Sequence, residues 1–325
     1  ETKVLSSPLK RFARRFIPKG KDVSSERVFV AAFGKHPGWD DHIDDIGLET
    51  DIIITVKRIL YVQGVGGNID SGSWDKLQEN QPIEEFKHTL VWCIDGNLIV
   101  GRLWSSRDGK GRTSYPMVVC VQCCQLPLEW VLKNILPFLE RVEKTCTATT
   151  SAADVRLTIE NAQKELRQLT QQCEPSPILP AVRSDVMAKL TEYPEMGGPN
   201  HQGLLRILYH IEREIAQDHL DTSKGKAFRP TLLRVPISPP PVIESVPLWI
   251  NFLLTKFGIN TSVLMLMPLQ KQWMDIIIGE PTNLQLYCLR ASLKVIPLTS
   301  SIPYNLGPEF IDRAKQLIED SRGEE

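Results

Sequence analysis

The order of apolar and polar residues near the start of the chain predicts a strand, a loop and a helix. The apolar run at 27–33 predicts a strand, and the loop that follows it, at 34–42, contains two glycines and one proline. Apolar residues at helical spacing over 48–62 predict a helix. We expect the glycine-rich stretch at 64–67 to end that helix.

The pattern from residue 90 onward predicts antiparallel strands and then a helix. The strands are predicted at 90–94, 98–104 and 115–121. Asp95-Gly96-Asn97 is suited to a hairpin turn, because Asp-Gly tolerates positive φ. A helix is predicted over 128–145, in which Pro137 is expected to cause a kink or a break. This order predicts an α+β fold, with a mostly antiparallel sheet layered with helices as a three-layer α/β/α sandwich.

The second half of the chain predicts a mixture of helices and strands. Ser151 and Asp154 have the spacing of a helix N-cap before an amphipathic helix. Further helices are predicted at 202–219, at 248–257 and from 312, and strands at 231–237, 262–267 and 274–278. We divide the chain into a basic, flexible lead-in at 1–26, an α+β domain at 27–148 and a second part at 149–325. The second part is either an independent domain or packs on the same sheet.

The net charge and the length of the apolar runs exclude several classes of protein. Lys and Arg number 38 and Asp and Glu 39, so the net charge of -1 gives no overall attraction to nucleic acid or to an anionic membrane. The six basic residues at 8–21 are a local exception, and we expect a solvated lead-in there rather than a nucleic-acid arm. No apolar run approaches the ~18 residues of a membrane span.

Cysteine usage favours a cytoplasmic protein with reduced thiols. The chain has seven cysteines, an odd number, and they are scattered among apolar residues. Strand alternation places Cys120 and Cys124 on one face and Cys123 on the other, an arrangement unsuited to a tetrahedral zinc site.

The densest group of chemically active side chains lies in the loop after the first strand. His36, Asp40, Asp41 and His42 carry the imidazole and carboxylate groups that a divalent metal needs, so a metal-dependent hydrolase is one interpretation. All of these groups belong to one short loop, however, and no distant motif such as HExxH accompanies them. Solvated charges around a tight turn are the other interpretation, and we assign no metal ligand on this pattern.

Motifs of nucleotide and acyl-transfer enzymes are missing from the sequence. The glycines at 64–67 and 109–112 lack the Gly-Lys-Ser/Thr order of a P-loop, and no Gly-x-Ser-x-Gly motif is present. We therefore assign no catalytic residue and no cofactor, and expect a binding role rather than an enzyme.

Two short motifs occur in order along the first half of the chain. The first, Gly34-Lys35-His36-Pro37 followed by Asp41, comes directly after the first predicted strand. The second, Gly111-Arg112-Thr113-Ser114-Tyr115-Pro116, leads into the third of the strands predicted after residue 90. This ordered pair resembles the TagF-like accessory proteins of bacterial type VI secretion, and the resemblance covers residues 27–145.

The resemblance implies a cytoplasmic, non-enzymatic regulator or assembly factor that restrains the secretion apparatus after translation. It also implies a protein partner, either a forkhead-associated scaffold or another secretion-system component. Some members of the family are fused to a phosphatase domain, and no phosphatase motif is visible in this sequence.

The motif residues also have a physical interpretation that does not depend on the family. Arg112 is expected to form an ion pair with Asp40 or Asp41, and Pro116 to begin its strand, where a missing N–H costs least. Trp39 and Tyr115 are aromatic residues of the kind that interfaces favour. The candidates for loop architecture or partner binding are Gly34, Lys35, Pro37, Trp39, Asp40, Asp41, Arg112, Tyr115 and Pro116.

Overall fold

The structure of the chain is a computed structural model. It describes residues 26–179, 181–193, 196, 201–216, 229–237 and 241–321. The lead-in predicted at 1–26 lies outside the described residues except for Glu26. The end of the helix predicted at 202–219 also lies outside them, beyond Ala216.

The described residues form a seven-stranded sheet in which every neighbouring pair of strands is antiparallel. Its strands are β1 (Val28–Gly34), β2 (Lys87–Ile94), β3 (Asn97–Ser105), β4 (Pro116–Cys123), β5 (Thr231–Pro236), β6 (Val263–Pro268) and β7 (Trp273–Ile278). Their spatial order is β1-β4-β3-β2-β6-β7-β5. In the central strand β2, Trp92 lies opposite Ile99 of β3 on one side and Leu264 of β6 on the other. Residues 149–325 thus complete the sheet that residues 27–148 begin.

Helices cover both faces of this sheet. They are α1 (Asp51–Val56), α2 (Gly67–Asp70), α3 (Ser73–Asn80), α4 (Leu128–Thr147), α5 (Ala152–Thr170), α6 (Val186–Thr191), α7 (Gln202–His210), α8 (Pro241–Phe257), α9 (Asn283–Leu286) and α10 (Pro308–Asp320). Two π-helical segments, Lys57–Gly66 and Ile211–Ala216, extend α1 and α7.

The alternation of side chains along the strands builds two separate hydrophobic cores. In β1, Val28 and Val30 enter the core shared with α4, α5, α7 and α8. Phe29 and Phe33 enter the opposite core, which they share with α1, the π-helical segment and α3. The predicted α+β fold, with its three-layer α/β/α arrangement, is therefore confirmed.

One expectation about a helix end is wrong. The stretch at 64–67 does not end the first helix, because helical backbone runs from Asp51 through the π-helical segment to Asp70. The glycine at 64 serves packing instead, since a Cβ there would lie 2.2 Å from Cδ1 of Leu286. Of the kink or break expected at Pro137, the break does not occur, because α4 is one helix from Leu128 to Thr147.

Side chains of the chain itself bind backbone groups at both edges of the sheet. On β1, the Gln163 side chain accepts a hydrogen bond from the Val30 N–H (2.6 Å) and donates one to the Val28 carbonyl (2.8 Å). On β5, the Arg234 N–H donates to the Thr299 hydroxyl at 3.1 Å. These contacts occupy backbone groups that a partner strand would otherwise use.

All seven cysteines lie in the described residues, and none of them forms a disulfide there. Cys120 and Cys124 contact one core and Cys123 the other, which confirms the predicted facing. Burial raises the pKa of the Cys120 thiol to about 12.

Thiol labelling tests this assignment. We expect Cys120 to stay unlabelled by a maleimide in the native protein, because it is buried and its thiolate is disfavoured. Cys173 is partly exposed, so it should react under the same conditions and serves as the internal control. Mass spectrometry of the labelled peptides distinguishes the two sites, and fast native labelling of Cys120 would contradict the strand assignment.

Candidate functional site

The two motif loops meet at one end of the sheet. β1 and β4 are antiparallel neighbours with Gly34 opposite Met117, so the loop that leaves β1 and the loop that enters β4 come together. Gly34 has φ +117°, and a Cβ there would lie 2.3 Å from the Pro116 carbonyl oxygen, so only glycine fits this position. The Lys35 N–H donates to the same carbonyl at 3.2 Å. Pro116 is the first residue of β4, as predicted.

A buried ion pair joins the two loops. Lys35 Nζ lies 2.7 Å from Asp108 Oδ2, and the two side chains are 5% and 0% exposed. Arg112 Nε donates to the same oxygen at 2.7 Å. The other oxygen of Asp108 accepts the N–H groups of Lys110 (3.1 Å) and Arg112 (2.9 Å). Asp108 therefore holds both its own loop and the Gly34-Lys35 motif.

Hydrogen bonding determines the charge of Asp108. Burial acts to raise the pKa of this carboxyl, but hydrogen bonds from Lys35 and from both the backbone and the side chain of Arg112 outweigh burial and hold the pKa well below its usual value. Asp108 was not among the residues singled out from the sequence. The available signal was an aspartate in a glycine-rich loop, four residues before an arginine, a position where its carboxylate can accept nearby backbone N–H groups.

Arg112 forms the ion pair that the sequence predicts. Its Nη2 lies 3.2 Å from Asp41 Oδ1. Asp40 contributes its backbone carbonyl, which accepts from Arg112 at 2.9 Å, and not its carboxylate. The Arg112 and Asp41 side chains are 50% and 67% exposed, so this pair adds little stability compared with the buried one.

Trp39 attaches the first loop to α5. Its ring is partly buried against the core, and its Nε1 donates to Asp44 at 3.2 Å. The Arg156 guanidinium of α5 lies 5.6 Å from the centroid of the Trp39 ring. The His36 ring contacts the Trp39 ring edge-on, with the two ring centroids 5.8 Å apart. Trp39 thus has an architectural contact, while part of its surface stays accessible.

Tyr115 belongs to an aromatic cluster. Its ring centroid lies 4.9 Å from that of His42 and 5.5 Å from that of Tyr61. Lys35 Nζ lies 5.7 Å from the centre of the Tyr115 ring, so the buried cation also contacts this cluster.

The loop at 36–42 does not have the geometry of a metal site. His36 is buried, its Nδ1 accepts the Gly38 N–H at 3.1 Å, and its Nε2 lies 2.9 Å from the Cys146 carbonyl oxygen. Both ring nitrogens are therefore engaged by backbone, with Nε2 as the donor. Across the described ranges, no group of three or more His, Cys, Asp or Glu side chains is placed to hold a metal ion.

Two concave regions flank the joined loops. A groove of about 760 Å³, which we call the Arg107 groove, has Arg107, Trp74, Phe86 and Arg290 among its lining residues. A second cavity of about 470 Å³, which we call the tyrosine pocket, is lined by Tyr61, Tyr115, His42 and four charged residues, Asp44, Asp45, Lys57 and Asp70, among others. The remaining candidate, Pro37, lines the Arg107 groove.

A comparison of the melting temperatures of two variants, Asp108→Asn and Arg112→Ala, tests the role of Asp108. We expect Asp108→Asn to lower the Tm more than Arg112→Ala, because it leaves the Lys35 ammonium buried without its close partner. Hydrogen exchange should also become faster in both loops of the Asp108→Asn variant. Equal melting temperatures for the two variants, with unchanged exchange, would show that the buried pair does not hold the loops.

The fold and the joined loops define an α+β protein built on one antiparallel sheet, with a composite loop surface at one end. No protein-family model matches the chain, and no curated protein matches it. The crystal structure of PA0076 from Pseudomonas aeruginosa PAO1 is similar over 46% of this chain, with 18% identity and a TM-score of 0.31. The match covers 64% of that structure, which is less than two thirds of its length. Among the helices that the structure describes, none has the length and apolar character to cross a membrane.

Proposed function

We propose that this chain is a non-enzymatic, protein-binding regulator or assembly factor of the bacterial cytoplasm, similar to the TagF-like proteins of type VI secretion. The observation that carries the proposal is the buried pair of Lys35 and Asp108, 2.7 Å apart. It joins two motifs that lie far apart in the sequence into one surface. Motif residues that act together in this way fit a shared docking surface better than two independent turns.

The composition of this surface suits a protein partner. Asp40, Arg107 and Lys110 are exposed, and the structure describes no ion pair for the side chains of Arg107 and Lys110. Partly accessible Trp39 and Tyr115 lie beside them. Mixed charges around aromatic residues are typical of the rim and centre of protein interfaces.

The competing hydrolase interpretation has little support in this loop. A catalytic metal requires ligand atoms that are free to bind it, whereas both ring nitrogens of His36 already contact backbone groups. We therefore favour partner binding, with a forkhead-associated scaffold or another secretion-system component as the partner.

Direct binding to the forkhead-associated scaffold of the same secretion system tests the proposal. We expect calorimetry with the purified proteins to show binding, and the double variant Arg107→Glu, Lys110→Glu to weaken it at least ~10-fold through like-charge contacts at the rim. Lys133→Glu reverses an exposed charge on α4 and is the matched control.

Two results would contradict the proposal. One is the absence of binding to the scaffold and to the other purified components of the system. The other is hydrolase turnover stimulated by Mg²⁺, Mn²⁺ or Zn²⁺ that disappears in the double variant His36→Ala, Asp40→Ala.

A further inference from the structure

The tyrosine pocket combines aromatic walls with carboxylates. The rings of Tyr61, Tyr115 and His42 contact one another, with centroid distances of 4.9 to 5.8 Å, and all three line the cavity of about 470 Å³. Pockets of this size accommodate one large side chain or a small ligand. The face of an aromatic ring attracts a cation, so the walls themselves favour positively charged groups.

Carboxylates outnumber cations among the residues that line the pocket, and the nearby Lys35, whose Nζ lies 5.7 Å from the centre of the Tyr115 ring, is paired with Asp108. Asp44, Asp45 and Asp70 line the pocket, and Lys57 is the lining cation. Lys57 is paired with Asp45, and Asp44 with Arg156 outside the lining, whereas no ion pair is described for Asp70. Asp70 is exposed and ends the helical stretch that starts at residue 51, so the negative end of a helix dipole lies beside it.

Nearby carboxylates add to the effect of burial on the pKa of both tyrosines. The pKa of Tyr115 is raised first by burial and then by the carboxylates of Asp70 and Asp41. Burial is also the main cause that raises the pKa of Tyr61, and Tyr115, Asp41 and Asp45 add to it. A cation entering the pocket would therefore meet the Tyr115 ring and the carboxylate of Asp70, for which no ion pair is described.

We infer that the tyrosine pocket binds a lysine or arginine side chain presented by a protein partner. This inference rests on the proposed function, which it makes more specific: the docked partner segment is basic. The carboxylate of Asp70, for which no ion pair is described, supplies the charge, and Tyr115 supplies the aromatic ring.

A charge-matched pair of peptides tests the inference on the full chain. The probes are the acetylated, amidated tripeptides Gly-Arg-Gly and Gly-citrulline-Gly, which have nearly the same shape but differ in charge. In two-dimensional NMR titrations, we expect the arginine peptide to shift the backbone signals of Gly66 and Tyr115, and the citrulline peptide to leave them unchanged.

Variants of the pocket distinguish the contribution of the carboxylate to peptide binding from that of the aromatic ring. Asp70→Asn should lower the affinity for the arginine peptide by about three- to tenfold, which is the range expected for an exposed charge pair supported by a ring contact. The Tyr115→Phe variant should bind the arginine peptide with the affinity of the wild type, whereas the Tyr115→Leu variant should bind it more weakly. Asp312→Asn, an exposed acid on α10, is the matched control. Equal shifts with citrulline, or unchanged affinity in both Asp70→Asn and Tyr115→Leu, would overturn the inference.

Parallel titration with the scaffold distinguishes the two proposals. Scaffold binding that is retained in full by Asp70→Asn, together with no response to the arginine peptide, would reject the pocket and leave the proposed function intact. Selective binding of the arginine peptide with no binding to any system component would reject the proposed function and leave the pocket as a cation site.

Discussion

Replacing Arg234 by alanine is expected to destabilise the protein by about 3–5 kcal/mol, the usual cost of removing one partner of a buried ion pair. Arg234 Nε and Nη2 donate to the two carboxylate oxygens of Asp275 at 2.7 and 2.9 Å, and both side chains are fully buried. Its Nη1 also donates to the carbonyls of Ala291, Ser292 and Ile296. The substitution leaves a buried carboxylate and these carbonyls without their donor.

Urea unfolding measures the loss of stability in Arg234→Ala. A second variant distinguishes the effect of removing the charge from the effect of removing packed volume. The double variant Arg234→Met, Asp275→Leu removes both charges and keeps apolar volume, so it should be less destabilised than Arg234→Ala. A loss below about 1 kcal/mol for Arg234→Ala would match an exposed pair and contradict the buried geometry.

Acidification is expected to destabilise the protein through His88. Burial is the main cause that lowers the pKa of His88 from its usual 6.5 to about 3, and the charges of Arg234 and Arg102 lower it further. Between these two values the unfolded chain binds a proton at this position that the folded protein does not. The free energy of unfolding therefore decreases as the pH falls from 6.5 towards 3, by up to about 1.4 kcal/mol per pH unit from this residue.

The measurement is urea unfolding at a series of pH values for the wild type and for His88→Asn. The asparagine oxygen can replace Nδ1 as acceptor for the Lys87 N–H but does not titrate. We expect a shallower pH dependence in the variant between pH 6.5 and 3, and the same slope in both proteins would show that His88 is not the group responsible.

The sequence predicted those parts of the fold that depend on local pattern. The apolar runs located β1 to β4, and the Asp95-Gly96 turn located the hairpin of β2 and β3, because alternation and turn chemistry are properties of a few consecutive residues. The helix end predicted at Gly64 was wrong, because this glycine is needed for close contact with Leu286, which is distant in the sequence.

Long-range pairs that no motif marks could not be predicted from the sequence pattern. Arg234 and Asp275 are single charged residues inside apolar strands, which is a signal of a buried pair, but their partnership follows from the register of β5 with β7. The ion pair of Arg112 with Asp41 was predicted because two motifs pointed to it. The stronger pair of Lys35 with Asp108 was not, because Asp108 looks like an ordinary loop acid until the antiparallel pairing of β1 with β4 brings the loops together.

The position of β2 limits how this protein can be dissected. A fragment that stopped at residue 148 would lose β6, and the whole flank of β2 that pairs with it would become an open edge carrying Leu90, Val91 and Trp92, which are each 0% exposed in the intact chain. Such an edge recruits other chains by backbone hydrogen bonding. A clone of the motif-bearing half would therefore tend to self-associate, and its apparent binding partners would include other copies of itself.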